Sequence, residues 1–301
     1  MESIKDTFKD LIREFHNSVP PMVKPRELRL PGWCLESPPV GHPPRSSAQA
    51  VVITGPRRSG KTFFLYQLMQ QLCEKADPPL SKDRLLYIDL QDDRLFPLEA
   101  SDLSALFEAY FELHPENAAK GAAFFLDEVH CVDGWDLFVR NLLNNNELRI
   151  FITCSTSRFG DLCLAASVPR HFVPFKLMPL SFREYIAFKG VSAENENDVF
   201  GMRHMIHFLL DEYLIYGGYP EVAFSELPAK LKVLRTYYDI LIYKDMVGGF
   251  AIRNIRLLKG LIKYLFTRVG STVSLHGYYL GLLGGSHVSR DTLLEYVSYL
   301  E

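Results

Sequence analysis

The chain has 301 residues, with 48% apolar residues, 23% charged residues and a net charge of −3, which excludes a collagen, a disulfide scaffold and a largely disordered chain. Five scattered cysteines without a C-x-x-C pair favour reduced thiols over a secreted framework or a zinc site. Because the N-terminus is charged and no run reaches ~18 apolar residues, we expect a cytoplasmic protein with neither a signal peptide nor a membrane span.

The first 48 residues predict a helix and then a connector. Apolar residues recur near helical spacing over residues 1–19. Eight of the 18 prolines then fall between Pro20 and Pro44. Because proline fixes φ and lacks an amide donor, we expect this stretch to be an extended connector outside any sheet.

Strands and helices alternate from residue 49 to residue 178. Short apolar runs predict strands at 50–54, 85–90, 122–126, 148–153 and 171–177. Helical patterns lie between them, over 62–74, 101–113 and 135–143. This alternation predicts an α/β fold with a mostly parallel sheet.

After residue 178 the pattern becomes helical. Apolar spacing predicts helices at 181–189, 203–216, 228–246 and 254–267. Two shorter helices are predicted within 271–301, with Ser274 and Ser289 at N-cap positions and Gly284-Gly285 between the helices.

Residues 55–62, GPRRSGKT, match G-x-x-x-x-G-K-[ST] at every fixed position and lie between a predicted strand and a predicted helix. In such a loop the backbone amides and the positive end of the helix hold phosphate oxygens. We expect Lys61 to reach the β- and γ-phosphates of ATP and Thr62 to offer its hydroxyl to Mg²⁺. The candidate nucleotide-binding residues are Gly55, Pro56, Arg57, Arg58, Ser59, Gly60, Lys61 and Thr62.

Arg57 and Arg58 lie inside this loop, and their side chains have two interpretations. One of them could contact a phosphate. The alternative, which we favour, is that both face solvent or pair with carboxylates elsewhere in the chain.

The strand predicted at 122–126 ends in two carboxylates, Asp127 and Glu128. At the edge of the sheet beside the phosphate loop, Asp127 would hold Mg²⁺ and Glu128 would polarise the attacking water. The alternative is an ordinary acidic pair at a strand end. Another predicted strand, at 85–90, lies between the loop strand and the Asp-Glu strand along the chain. We therefore expect a sheet in which an additional strand separates those two, as in AAA+-like and RecA-like ATPases. No N-K-x-D motif is present, which argues against a GTPase.

The strand predicted at 148–153 is followed by a polar tip. A side chain there could sense the γ-phosphate, and Ser155 or Ser157 is the candidate. Ordinary loop hydroxyls are the alternative.

Several motifs occur in an order that resembles a known family: TGPRRSGKT, YIDLQDDRL, FLDEVH, GW, MPLSFREY, GGYPE and YKD. The set resembles the prokaryotic AAA+-superfamily ATPases that join an AAA-type ATPase core to a C-terminal domain of unknown function. The resemblance covers about residues 22–301, and PLSFREY and GGYPE are its most specific motifs.

The resemblance implies an ATP-hydrolysing protein with a helical lid and a winged-helix-like module. It also implies an arginine after the fourth strand, which makes Arg170 a candidate arginine finger, a type of residue worth roughly 10³–10⁵ in rate. A surface arginine is the alternative. Where the family has Gly-Arg this chain has Pro169-Arg170, and where it has Gly-Ser this chain has Cys154-Ser155.

We therefore divide the chain into an N-terminal helix and connector (1–48), a P-loop ATPase core (49–178), a helical lid (179–230) and a winged-helix-like module (231–301). Members of the family continue further, so we expect this chain to be a shortened member or a fragment that stops before a β-wing.

The C-terminal module has an excess of basic residues. Residues 230–301 hold ten Lys or Arg and five Asp or Glu, a net charge of +5 against −8 for the rest of the chain. Two short helices around a glycine turn fit a helix-turn-helix. The second of them, however, carries one arginine and two acids, whereas DNA phosphates require cations. We therefore expect a protein partner, a homo-oligomer contact or a structural role ahead of DNA binding.

Mg²⁺-dependent ATP binding and hydrolysis, with movement of the lid and the C-terminal module, is the function that these features predict. Two alternatives stay open. One is a STAND-like switch that holds ATP with little turnover, and the other is an ATP-responsive DNA-binding regulator.

Overall fold

The computed structural model describes residues 3–35, 49–76, 78–143, 148–155, 171–191, 201–250, 252–282 and 289–300. The chain divides into two compact units, Met1–Glu226 and Leu227–Glu301. Within the first unit, the boundary predicted between core and lid stays a prediction. No disulfide joins the cysteines in the described ranges.

The first unit is built on a five-stranded sheet in which all neighbouring strands are parallel. Its strands are β1 Ala50–Gly55, β2 Leu85–Asp89, β3 Ala122–Asp127, β4 Leu148–Ser155 and β5 Phe172–Lys176. The predicted α/β fold with a parallel sheet is therefore confirmed.

The strand order is β2-β3-β4-β1-β5. One strand thus separates the phosphate-loop strand β1 from the Asp-Glu strand β3, as predicted. The separating strand is β4, whereas β2, which lies between β1 and β3 along the chain, is at the edge of the sheet. Since the strands are parallel, the ends of β1, β3 and β4 meet at one edge, and Gly55 lies opposite Ser155.

Helices cover both faces of the sheet. The helices of the first unit are α1 Ile4–Asn17, α2 Lys61–Glu74, α3 Leu103–Leu113, α4 Asn117–Lys120, α5 Trp135–Leu143, α6 Phe182–Phe188, α7 Arg203–Tyr216 and α8 Pro220–Phe224. Side chains alternate along a strand, so Ala50 and Val52 pack with α1, α3 and α5, while Val51 and Ile53 pack with α2. Helices α6, α7 and α8 share a smaller core of their own.

The extended connector predicted between Pro20 and Pro44 stays a prediction, because Gly32–Cys34 form a 3₁₀ turn and residues 36–44 lie outside the described residues. The stretch from residue 19 to residue 31 has neither helix nor strand. It does not lie wholly on the surface, however, because Arg26 is buried. The short helix α8 was missed by sequence pattern alone. Pro220 occupies its first turn, where proline's missing amide costs no hydrogen bond.

The second unit is helical over its described residues. It contains α9 Leu227–Ile240, which continues as the π-helical segment Leu241–Val247, and then α10 Ile255–Phe266, α11 Leu275–Leu282 and α12 Arg290–Leu300. Ile242, Leu258, Leu261 and Leu293 form the centre of its apolar core. The winged-helix character of this unit stays a prediction, and Gly284-Gly285 lie outside the described residues.

Among the described helices, none is both long and apolar enough to span a bilayer.

Candidate functional site

The loop between β1 and α2 depends on glycine at both of its ends. A Cβ at Gly55 would lie 2.1 Å from the carbonyl oxygen of Leu177, so no other residue fits without moving the backbone. Gly60 has a φ of 96°, a left-handed conformation that glycine adopts at little cost. No side chain caps the N-terminus of α2, so its first amides can hydrogen-bond an anion.

Lys61 lies inside the site, with only 3% of its side chain exposed. Its Nζ donates to the carbonyl oxygens of Gly55 and Pro56, both at 3.3 Å. The same atom lies 3.4 Å from Glu128 Oε1. The ammonium group therefore lies between the carbonyl oxygens of the loop and the carboxylate that follows β3.

Asp127 is the buried centre of a hydrogen-bond network. The Thr62 hydroxyl donates to its Oδ2 at 2.7 Å, and the Tyr87 hydroxyl donates to the same oxygen at 3.1 Å. The Thr153 hydroxyl donates to Oδ1. Burial raises the pKa of Asp127 above its usual value, and the hydrogen bonds from Thr153 and Thr62 offset only part of this effect. A carboxylate and a hydroxyl in contact are the hard oxygen ligands that Mg²⁺ prefers, so this pair fits a magnesium site.

Glu128 has a strained backbone and an ion-paired side chain. Its φ of 54° is left-handed, which is uncommon for a residue other than glycine and recurs at functional sites. Its N–H donates to Thr153 Oγ1 at 2.7 Å. Burial raises the pKa of Glu128, but the hydrogen bond from His130 and the charge of Lys61 outweigh it and bring the pKa to about 2. Glu128 is therefore a carboxylate at neutral pH.

His130 belongs to the site, although sequence reasoning did not single it out. A short 3₁₀ turn, Val129–Cys131, brings its Nδ1 to 3.1 Å from Glu128 Oε2. Burial lowers the pKa of His130, but contacts with the Cys131 and Cys154 thiols and with Glu128 raise it to about 11. The imidazole is therefore protonated, and its charge is paired with that of Glu128.

Thr153, rather than a serine beyond it, bridges the two carboxylate residues, because it donates to Asp127 and accepts from the Glu128 amide. Ser155 is buried, and its Oγ lies 3.4 Å from His130 Nε2. The signal for Thr153 in the sequence was a hydroxyl at the end of the largely apolar strand predicted at 148–153. Ser157 and Arg170 lie outside the described residues, so their predicted roles stay predictions.

The two arginines of the loop point to different surroundings. Arg57 Nη2 lies 3.5 Å from His130 Nε2, on the side of the carboxylates. Arg58, which has a φ of 65°, contacts Glu221 of α8 at 3.2 Å. Between Arg58 and Gly60, the Ser59 side chain is fully buried, and its hydroxyl has no hydrogen-bond partner in the described part of the chain. Buried polar atoms are normally satisfied, so this orphan fits a loop shaped for an oxygen-rich ligand.

Family models match both halves of the chain. Residues 47–186 match the model described as an AAA domain, and residues 207–301 match a domain of unknown function, DUF8612. Residues 47–186 are therefore similar to AAA domains, and the residues that follow are similar to a domain of unknown function. This agrees with the coarse part of the resemblance read from the motifs.

The relatives that the chain matches are longer proteins. Uncharacterized protein MJ1544 of Methanocaldococcus jannaschii is 30% identical over 82% of this chain and 53% of its own length. An uncharacterized protein of Haemophilus influenzae is 28% identical over 74% of this chain and 52% of its own length. The chain thus spans about half the length of the curated relatives it matches. The solved structure of C. elegans PCH-2 has a TM-score of 0.32 and 15% identity over 52% of this chain and 40% of that chain, too low a likeness to carry an argument.

Proposed function

We propose that this protein binds ATP together with Mg²⁺ and hydrolyses it. One observation carries the proposal: the edge of the sheet brings Lys61 and Thr62 of the loop into contact with Glu128 and Asp127 after β3. A cation, a hydroxyl and two carboxylates in this arrangement supply what phosphoryl transfer to water requires, which is charge neutralisation, metal ligands and a group that orients water.

Each residue has a role that follows from its contacts. Lys61 exchanges the loop carbonyl oxygens for phosphate oxygens and neutralises their charge. Thr62 and Asp127 would hold the metal, which would offset the negative charge of the β- and γ-phosphates. Tyr87 and Thr153 hydrogen-bond Asp127 and fix the direction of its two oxygens. Burial and the Asp127 carboxylate raise the pKa of Tyr87, so its hydroxyl stays a donor.

Glu128 orients the attacking water as an ionised carboxylate. Its amide is held by Thr153, and its left-handed backbone turns the side chain toward Lys61. Replacement of the Lys61 contact by phosphate would leave Glu128 Oε1 available to a water molecule. Release of the phosphate contacts after hydrolysis would then shift the helical lid between two states.

A second candidate, a switch that holds ATP with little turnover, is favoured by a different observation. Each oxygen of Glu128 lies close to a nitrogen of a basic side chain, Oε1 at 3.4 Å from Lys61 Nζ and Oε2 at 3.1 Å from His130 Nδ1. If His130 keeps Glu128 in this position when ATP is bound, the carboxylate cannot orient water. ATP would then stay bound and stabilise one conformation.

The test is to measure ATP binding and phosphate release with the native protein and two variants. We expect Lys61→Ala to lose both binding and release, because the phosphate charge is no longer neutralised. We expect Glu128→Gln to bind ATP as the native protein does and to lose release by about 10²–10⁴-fold. Lys75→Ala, in an exposed position at the end of α2, is the matched control and should behave as native.

The outcomes separate the candidates. Tight ATP retention without phosphate release by the native protein would favour the switch over hydrolysis. Normal release by Glu128→Gln would contradict the role given to that carboxylate. Absence of ATP binding in calorimetry with Mg²⁺ present would contradict both candidates.

A further inference from the structure

One buried arginine contacts the phosphate loop from outside the nucleotide-binding core. Arg26 lies in the proline-rich stretch that precedes the sheet, and 9% of its surface is exposed. Its Nη1 donates to the carbonyl oxygen of Ser59 at 2.8 Å. A Cβ placed on Gly60 would lie 3.4 Å from the same Nη1, so the guanidinium packs against the last two residues of the loop.

The rest of the Arg26 side chain is held just as closely. Nε donates to Glu184 Oε1 at 2.8 Å, and Nη2 donates to Glu184 Oε2 at 3.2 Å and to the Met178 carbonyl oxygen at 2.7 Å. The planar fork of arginine suits such a two-point contact with a carboxylate, which a lysine cannot make. The Arg26 amide donates to Gln67 of α2 at 2.8 Å. These contacts fix the position of the guanidinium independently of its hydrogen bond to the loop.

Glu184 is fixed as well. It closes a capping box with Ser181 at the start of α6, and its Oε1 accepts the Glu27 amide at 2.8 Å. Because the carboxylate also accepts hydrogen bonds from the Glu27 and Ser181 amides, it forms a rigid support for the guanidinium. PLSFREY, the motif that contains Glu184, therefore connects through Arg26 to the phosphate loop.

The contact with Ser59 has a geometric consequence for phosphate binding. In a trans peptide the carbonyl oxygen and the next N–H point in opposite directions. A hydrogen bond from Arg26 to the Ser59 oxygen therefore turns the Gly60 N–H away from Arg26. The amides of such a loop bind phosphate only when they point inward together. Gly60, with its left-handed φ and no side chain, would otherwise allow this peptide to rotate.

We infer that Arg26 is a positioning residue for nucleotide binding: supported by Glu184, it holds the Ser59–Gly60 peptide in the orientation that presents its amide to a nucleotide phosphate. The inference rests on the proposed function, because it requires that the loop binds phosphate. Arg26 and Glu184 thereby join the residues on which nucleotide binding depends, and both would act through the loop rather than by contact with the nucleotide.

The experiment compares Arg26→Met, Arg26→Lys and a control, Arg149→Met, in the full chain. Arg149 is a partly buried arginine of the same unit that donates to the Leu35 carbonyl oxygen at 2.7 Å, and burial lowers its pKa to about 10. Urea unfolding gives the stability of each variant, and calorimetry with Mg²⁺-ATP and Mg²⁺-ADP gives the affinities under conditions where every variant is folded. Hydrogen exchange of the peptide covering residues 56–62 reports whether the loop is ordered.

We expect Arg26→Met to lower the affinity for both nucleotides by about tenfold to a hundredfold. This is the range for loss of one charge-assisted hydrogen bond that orders a binding group. Exchange in the loop should rise. Arg26→Lys should fall between the native protein and Arg26→Met, and it keeps the comparison available if Arg26→Met does not fold. Arg149→Met should lose stability and keep its affinity within about twofold.

Two results would overturn the inference while leaving the proposed function intact. One is native ATP affinity in both Arg26 variants, and the other is an equal loss of affinity in Arg149→Met, which would show a general effect of destabilisation. If the native protein itself binds no nucleotide, the proposed function fails instead.

Discussion

Two ion pairs join the phosphate loop and its support to the helices that follow the sheet, and they differ in burial. Arg26 and Glu184 are 2.8 Å apart, and each side chain is 6% exposed. Arg58 and Glu221 are 3.2 Å apart, with 54% and 49% of their side chains exposed. Because water screens the second pair and not the first, their contributions to stability should differ several-fold.

The difference indicates which contact can change during a nucleotide cycle. Removal of one partner from a buried pair costs about 3–5 kcal/mol, because it leaves the other charge buried and unpaired. An exposed pair contributes about 0–1 kcal/mol. The start of α6 is therefore firmly attached to the loop through Arg26, whereas Arg58 can leave Glu221 at little cost. We expect a lid movement to begin at α8 rather than at α6.

The largest predicted effect is that of Glu184→Ala. This change leaves the Arg26 guanidinium buried without its carboxylate and leaves the Glu27 and Ser181 amides without their acceptor. We expect the unit to lose about 3–5 kcal/mol in urea unfolding. The matched control is Glu221→Ala, which should lose no more than about 1 kcal/mol. Similar losses in both variants would show that burial does not distinguish the two pairs.

The second largest predicted effect is the loss of stability at the buried Arg26–Glu184 pair in acid. Burial raises the pKa of Glu184, but the hydrogen bond from Arg26 and those from the Glu27 and Ser181 amides lower it below its usual value of 4.5. A depressed pKa contributes stability that is complete above the usual value and is lost as the pH falls through the folded value.

The measurement is urea stability as the pH falls from about 5, above the unfolded pKa, through the folded pKa, because in this window the unfolded chain binds a proton at Glu184 before the folded chain does. The native protein should lose more stability across this window than Glu184→Gln, which has no group to titrate at position 184. Parallel curves for the two proteins would contradict the depressed pKa.

Sequence patterns were sufficient to predict the strands of the sheet, and they singled out the loop between β1 and α2. Each strand is a short apolar run, and the phosphate loop has fixed residue types at fixed spacing, so both are local signals. The position of β4 between β1 and β3 was not local information, because it depends on which strands pair across the sheet.

The supporting residues of the site were harder to predict, because their partners are distant in the sequence. Arg26 is one arginine in an irregular stretch, and its partners Ser59 and Glu184 lie 33 and 158 residues away. Thr153 lies within a strand whose apolar neighbours determine the pattern, and its role depends on the parallel alignment of β3 and β4. The role of His130 depends on the turn that brings its side chain back to Glu128.

The smallest predicted effect concerns the exposed pair. A double-mutant cycle with Arg58→Ala and Glu221→Ala should give a coupling energy below about 1 kcal/mol at low salt, because both side chains are half exposed. The coupling should nearly vanish at about 1 M salt, where the screening length falls to about 3 Å. The equivalent coupling between Arg26 and Glu184 should persist at the same salt concentration, since ions do not reach a buried pair. A salt-resistant coupling between Arg58 and Glu221 would show that α8 is attached to the loop as firmly as α6, and that lid movement does not begin there.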